Sequence, residues 1–295
     1  MKILNACSQF IILITLFSCS KPVELDLPEF TNQPVVNCFF NPEEPFKVFV
    51  SRTASQFDTA LVNIDDAQVQ VFNHSQLVAD LPSLGNGAYC DSTIFPEPGV
   101  FYTLKVNIPG YPEILASDSV PSSFSEFVYK GFKENAWYSD EGRAYNALIF
   151  EIDDQPEANY FEVMFRSYSW RYSSYYDSVI SAHWISDFHC FDPVVEKGRW
   201  QAIFTDQLFD GANYSIQFMA SSGFWIADSI KLDVQVIQGS EAFYNYRVTY
   251  QKHYITQYSD FFNPTEPVIM YSNIENGYGI FVGYRSKFYP IDFRN

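Results

Sequence analysis

Apolar residues in this chain recur at every second position, in short runs. Tyr102, Leu104, Val106 and Ile108 alternate with Thr103, Lys105 and Asn107. Leu148, Phe150 and Ile152 keep the same period, as do Phe161, Val163 and Phe165, then Tyr214, Ile216 and Phe218, then Leu232, Val234 and Val236. Successive side chains on a strand point to opposite faces, so each run predicts one buried and one wet face. Turn material separates the runs: Asn41-Pro42, Gly85-Asn86-Gly87, Pro96-Glu97-Pro98-Gly99 and Pro109-Gly110. Short strands with regular turns predict a mainly β protein made of antiparallel sandwiches. Aromatic residues, at 19% of the chain, suit that class because a large ring packs well on a half-buried sheet.

The runs divide into two β-sandwich-like domains. Residues 34–123 open with Pro34-Val35-Val36-Asn37-Cys38-Phe39-Phe40 and close at Pro121-Ser122-Ser123. Within them, Pro98-Gly99 followed by Tyr102-x-Leu104-x-Val106 looks like the late strands of an immunoglobulin-like or fibronectin-like module, a likeness of architecture alone. Residues 124–295 read as a second β-rich domain with one helix near 241–254. Ser240 is placed to cap that helix, and Phe243, Tyr246, Tyr250 and Tyr254 share one face at helical spacing. Strands return with Val268-Ile269-Met270-Tyr271 and Gly279–Tyr284, and Asn276-Gly277 between them signals a hairpin.

The start of the chain has a different grammar. Lys2 precedes the apolar run Phe10–Phe17, which stops at Ser18-Cys19-Ser20. That pattern is a secretory leader, and Leu16-Phe17-Ser18-Cys19 resembles a bacterial lipobox. In that resemblance residues 1–18 are the signal peptide, and Cys19 is the lipidated first residue of a tether over 19–33. Acyl chains hold a protein on a membrane because each buried methylene contributes about 0.8 kcal/mol. The net charge of −17 argues against nucleic acid as a partner and against a polybasic membrane patch.

Outside the leader and Cys19, three cysteines remain: Cys38, Cys90 and Cys190. An odd number allows at most one internal bridge, with Cys38–Cys90 available in the first domain; buried free thiols are the other reading. His183, Asp187, His189, Cys190 and Asp192 form the densest run of metal-ligating types. Their spacing matches no standard signature, so a solvated loop is expected, with His183, Asp187 and His189 as a weak candidate site. Asp206-x-x-x-Asp210-Gly211 lacks the alternate-oxygen spacing of an EF-hand and reads as a polar turn. The chain contains no Gly-x-Ser-x-Gly elbow, no His-Glu-x-x-His and no phosphate loop. The expectation is a protein without catalytic residues or cofactor. The residues best suited to docking or ligand contact are Arg166, Tyr168, Trp170 and Tyr172, on the strand face opposite Phe161, Val163 and Phe165. The competing reading is that a second sheet or the Tyr-rich helix covers this face.

Several of these pieces occur in a telling order: the lipobox cysteine, Pro34-Val35-Val36-Asn37, Asp66-Ala67-x-Val69-x-Val71, Gly87-x-Tyr89, Pro98-Gly99-x-x-Tyr102, Ser119-Val120-Pro121 and, most specific, Ser272–Phe281. Together they resemble a Bacteroidetes-type outer-membrane lipoprotein family defined only as a domain of unknown function. The resemblance spans nearly the whole mature chain. It implies a lipid-anchored outer-membrane protein, often encoded beside a TonB-dependent receptor, on either face of that membrane. The expected role is a non-enzymatic accessory or ligand-binding partner of the transporter. The alternatives are an assembly or adhesion lipoprotein without a small-molecule ligand, and a surface hydrolase with a scattered site.

Overall fold

The computed structural model describes residues 31–55, 62–173, 176–184, 188–197, 201–221, 231–257 and 265–291. The leader and Cys19 lie outside them. Asn32–Asn295 forms one compact unit.

The chain before Pro121 supplies β1 (Pro34–Phe40), β2 (Lys47–Arg52), β3 (Val62–Asn63), β4 (Gln68–Asn73), β5 (Gln76–Leu81), β6 (Ser83–Gly85), β7 (Ala88–Cys90), β8 (Phe101–Asn107) and β9 (Ile114–Ser119). After it come β10 (Glu126–Tyr138), β11 (Ala144–Asp153), β12 (Tyr160–Ser173), β13 (Tyr176–Trp184), β14 (Phe188–His189), β15 (Val195–Lys197), β16 (Gln201–Thr205), β17 (Asn213–Ser221) and β18 (Lys231–Gly239). Helix α1 (Glu241–Thr256) and β19 (Tyr278–Ile291) complete the described elements. The protein is mainly β, as the alternation predicts.

One large sheet runs through both parts in the order β15-β16-β12-β18-β19-β1-β2-β7-β6, with β13 beside β12 and β3 beside β2. Two four-stranded sheets, β5-β4-β8-β9 and β10-β11-β17-β14, supply the opposing layers. The first core interleaves Val36, Phe40, Val48 and Val50 of the large sheet with Val69, Val71, Leu104 and Ile114. The second sets Phe161, Val163, Phe165, Val234 and Val236 against Leu148, Phe150, Ile216 and Phe218. Every one of these is an inward position of a period-two run, and burying such a side chain contributes about 1.5–3 kcal/mol.

The last strand joins the two parts. Its first half pairs with β1, from Val35↔Tyr278 to Phe40↔Gly283. Its second half pairs with β18, from Gly239↔Tyr284 to Leu232↔Ile291. A division at 123/124 places β19 wholly in the second part, yet Phe281 packs in the first core and Ile291 in the second. Among the described strand pairs only β1–β19 is parallel.

The predicted hairpin around Asn276-Gly277 is not formed. Residues 265–274 make no strand. The Asn273 side chain donates to the Phe281 carbonyl at 2.7 Å and accepts from the Phe281 amide at 2.9 Å. One amide thus takes the hydrogen-bond positions that a hairpin partner would have filled. Asn276 still turns the chain, at φ +60°, and donates to the Glu113 carbonyl at 2.8 Å.

Helix α1 begins where the sequence places it. The Ser240 hydroxyl accepts from the Phe243 amide at 3.1 Å, which satisfies one of the orphan donors of the first turn. Phe243 then packs on Ile237, Ile280 and Val282. Ile280 and Val282 flank Phe281 and point the other way, so the helix covers the face of β19 turned away from the first core.

Candidate functional site

Strand β12 carries the predicted docking residues. Phe161, Val163 and Phe165 are buried in the second core, so Glu162, Met164 and Arg166 occupy the opposite face. Helix α1 covers the start of that face. Arg247 grips Glu162 with two hydrogen bonds, Nε to Oε2 at 2.9 Å and Nη2 to Oε1 at 2.6 Å, and Nη2 also reaches Gln201 Oε1 at 2.9 Å. Glu162 is 1% exposed. Tyr160 meets Tyr244 of the helix with ring centroids 5.4 Å apart.

Arg166 lies further along the strand. Its Nη2 is 3.2 Å from Asp233 Oδ2, and its guanidinium sits 4.6 Å from the Phe288 ring centroid. Tyr168 is opposite Lys231 and Ala182, and Trp170 is opposite Ile180; Tyr172 continues β12. The side chains of Tyr168, Trp170 and Tyr172 lie outside the described ones.

Both histidines of the run lie in strands rather than in the loop its composition predicts. His183 is in β13, opposite Ser167. Asp187 lies outside the described residues. His189 is in β14, opposite Met219. Its ring packs among Trp137 (5.2 Å), Tyr145 (5.1 Å) and Phe191 (5.9 Å). Pairing of β14 with β17 draws the segment into the second sandwich and puts the imidazole in an aromatic cluster.

Cys38, Cys90 and Cys190 are free thiols. A Cys38–Cys90 bridge is not formed because β2 runs between their strands. Two strand spacings separate the backbones by roughly 9.6 Å, beyond the reach of a disulfide. Burial pushes the Cys38 thiol up to about 12 and that of Cys190 to about 11, so both behave as small apolar side chains.

The polar turn expected at Asp206 and Asp210 meets a third acid, Asp154; Asp154 and Asp206 are buried and Asp210 is exposed. Asp154, Asp206 and Asp210 bring carboxylate oxygens within 4.8 Å of one another. Asp154 accepts from Ser125 Oγ at 2.9 Å and from the Gly211 amide at 3.0 Å, and Asp206 accepts from the Asn159 amide at 2.7 Å. Burial raises the pKa of Asp154 and Asp206, and the neighbouring acids add to it. Calcium takes six to eight oxygens, whereas here protein donors engage the two buried carboxylates. The group clasps the 153–159 and 206–211 turns together.

Asp118 forms a second buried node. It accepts from the Gly283 amide at 2.8 Å and from the Ser240 hydroxyl, so it ties β9 to β19 and to the helix cap. Desolvation pushes its carboxyl up from 3.8 to about 6 against these hydrogen bonds. Between those values the folded protein keeps a proton that the unfolded chain has released. The stability from Asp118 is therefore complete below about pH 4 and is lost as pH rises through about 6, a change on the order of 3 kcal/mol. Asp154 and Asp206 act in the same direction. Urea unfolding of the wild type is expected to show a falling midpoint from pH 4 to 7, and Asp118→Asn is expected to flatten that fall. Superimposable pH profiles for the two proteins would rule the assignment out.

These features define a class: a mainly β protein with two cores laid against one shared sheet and a single described helix at the seam. Residues 20–288 match the family described as Domain of unknown function (DUF4249), and the chain belongs to that family. No curated protein matches it.

Proposed function

We propose that the protein is a non-enzymatic outer-membrane lipoprotein, anchored through Cys19, that serves a TonB-dependent transporter as an accessory or ligand-binding partner. The observation that carries this reading is the leader. Its apolar run ends on Leu16-Phe17-Ser18-Cys19, and the family match begins at the next residue. Among the described residues no helix is long and apolar enough to cross a membrane; the lipid on Cys19 supplies the attachment. Residues 19–33, fully extended, let the body stand at most about 50 Å from the anchor. The net charge of −17 repels anionic headgroups and favours that separation. The transporter partnership follows from the family resemblance, and the non-enzymatic reading from the missing catalytic motifs.

The test has two arms. Cells expressing the full chain are fed an alkyne fatty acid, and the protein is expected to carry the label and sediment with membranes. Cys19→Ala is expected to lose both. Labelling that survives the substitution would refute the anchor. Gentle detergent extraction is expected to recover the wild type with a β-barrel receptor; recovery of the protein alone would refute the partnership.

A further inference from the structure

A cleft of about 370 Å3 opens between the β4–β5 hairpin and the loop that joins β7 to β8. That volume is at the small end of the range that holds organic ligands. Its floor is Tyr102, which is 3% exposed. The Tyr102 hydroxyl oxygen accepts from the Glu97 amide at 2.9 Å, and among the described residues no acceptor takes its proton. Asn73 sits opposite Tyr102 in the ladder. Its Oδ1 is engaged by His74 Nδ1 at 2.6 Å, which leaves the amide hydrogens to donate. Thr93 Oγ1 donates to Asp91 at 2.6 Å and keeps its lone pairs for a ligand. The Glu97 carboxylate stands exposed among the lining residues. Val78, Ile94 and Val100 make an apolar wall, beside which Phe95 is 45% exposed.

The loop holding these groups is pinned. The Ile94 carbonyl accepts from the Phe46 amide at 3.2 Å, the Gly99 amide donates to Val120 at 2.9 Å, and the Val100 amide donates to Glu97 at 3.3 Å. Pro96 and Pro98 fix the backbone on both sides of Glu97. An exposed aromatic ring on so constrained a loop is preorganised for contact, with little further ordering to lose on binding.

We infer that this cleft binds a neutral hexopyranose unit of a saccharide. A pyranose ring has an apolar C–H face, which suits Phe95 and the valine–isoleucine wall. Its hydroxyls both donate and accept, matching Tyr102 and Asn73 as donors and Thr93 and Glu97 as acceptors. An anionic ligand meets the Glu97 carboxylate. An ammonium ligand uses Glu97 and Phe95 but leaves the donors of Tyr102 and Asn73 unanswered, and a purely apolar one strands all the polar groups; such unmade hydrogen bonds are costly. The inference concerns the folded body, goes beyond anchoring and transporter partnership, and depends on neither.

The experiment is saturation-transfer NMR on the full chain in a detergent without a sugar headgroup. The probes are glucose, galactose, mannose and their 1,4-linked disaccharides, with phenethylammonium as the competing chemistry. At least one sugar is expected to show transfer. Phe95→Ala and Glu97→Gln are each expected to weaken its binding about tenfold or more, and Leu84→Ser, on the exposed β6, to leave it unchanged. Matching thermal midpoints confirm that the variants are folded. No transfer from any sugar, transfer from phenethylammonium alone, or binding indifferent to both cleft substitutions overturns the proposal.

Discussion

Replacing Arg247 with leucine is expected to lower the unfolding free energy by about 3–5 kcal/mol. The guanidinium bridges helix α1 to the large sheet by two hydrogen bonds to Glu162 and one to Gln201. With the cation gone, Glu162 is left in a 1% exposed site without its counter-charge, and desolvation of that carboxylate dominates the loss. The pair itself contributes far less than its removal costs, because both ions gave up water to form it. The double variant Glu162→Leu with Arg247→Leu is therefore expected to recover most of the stability. Urea titrations of the wild type, the single variant and the double variant measure this directly. A single variant within 1 kcal/mol of wild type would show that the site is wetter than the structure indicates, and a double variant as weak as the single one would show that packing matters more than charge.

Gly279→Ala is expected to be comparably damaging, for a steric reason. Gly279 has φ +114°, and a β-carbon there would lie 2.0 Å from the Val36 carbonyl oxygen. Backbone strain in such a region costs about 1–3 kcal/mol, and forcing an atom into a packed contact costs a further 1–3 kcal/mol or so. The obstacle is backbone of β1, which cannot move without breaking its pairing with β2. Gly110→Ala is the control. It also has a positive φ, +84°, but nothing lies within 4 Å of the added carbon, so only the strain remains. Thermal unfolding of both variants is expected to place Gly110→Ala moderately below wild type, by the strain alone, and Gly279→Ala far below that, or absent from the soluble fraction. Equal effects would mean that φ alone governs and that the β1–β19 approach is looser than described.

The strands were legible because alternation is local. Pro34–Phe40, the Tyr102 run and the Phe161 run all fall where the pattern predicts, and Ser240 caps the helix. Strand partnership was not legible, because nothing in Val35 or Tyr278 announces that one lies beside the other. The same limit hid the acids. Glu162 sits between Phe161 and Val163 at an outward position and reads as wet, until a helix some eighty residues later covers it. Asp118 looks like an ordinary strand-end aspartate until β19 and the helix cap close over it. The reverse error occurred at His189, whose polar neighbours suggested a loop. The cleft showed in sequence only as the turn Pro96-Glu97-Pro98-Gly99; that Phe95 is held outward beside it is a property of the pinned loop.

The pairing of β1 with β19 also sets an order of events. Among the described strands, β1 leaves the ribosome first and its parallel neighbour β19 last. Until then Val35–Phe40 has an edge of unsatisfied amides and carbonyls, the kind of edge that recruits other chains. Contacts between residues so distant in sequence also slow folding. The newly made protein thus passes through a long interval with its seam open, in which holding by other proteins competes with aggregation, and the fourteen residues of β19 act as the closing stitch for both cores at once.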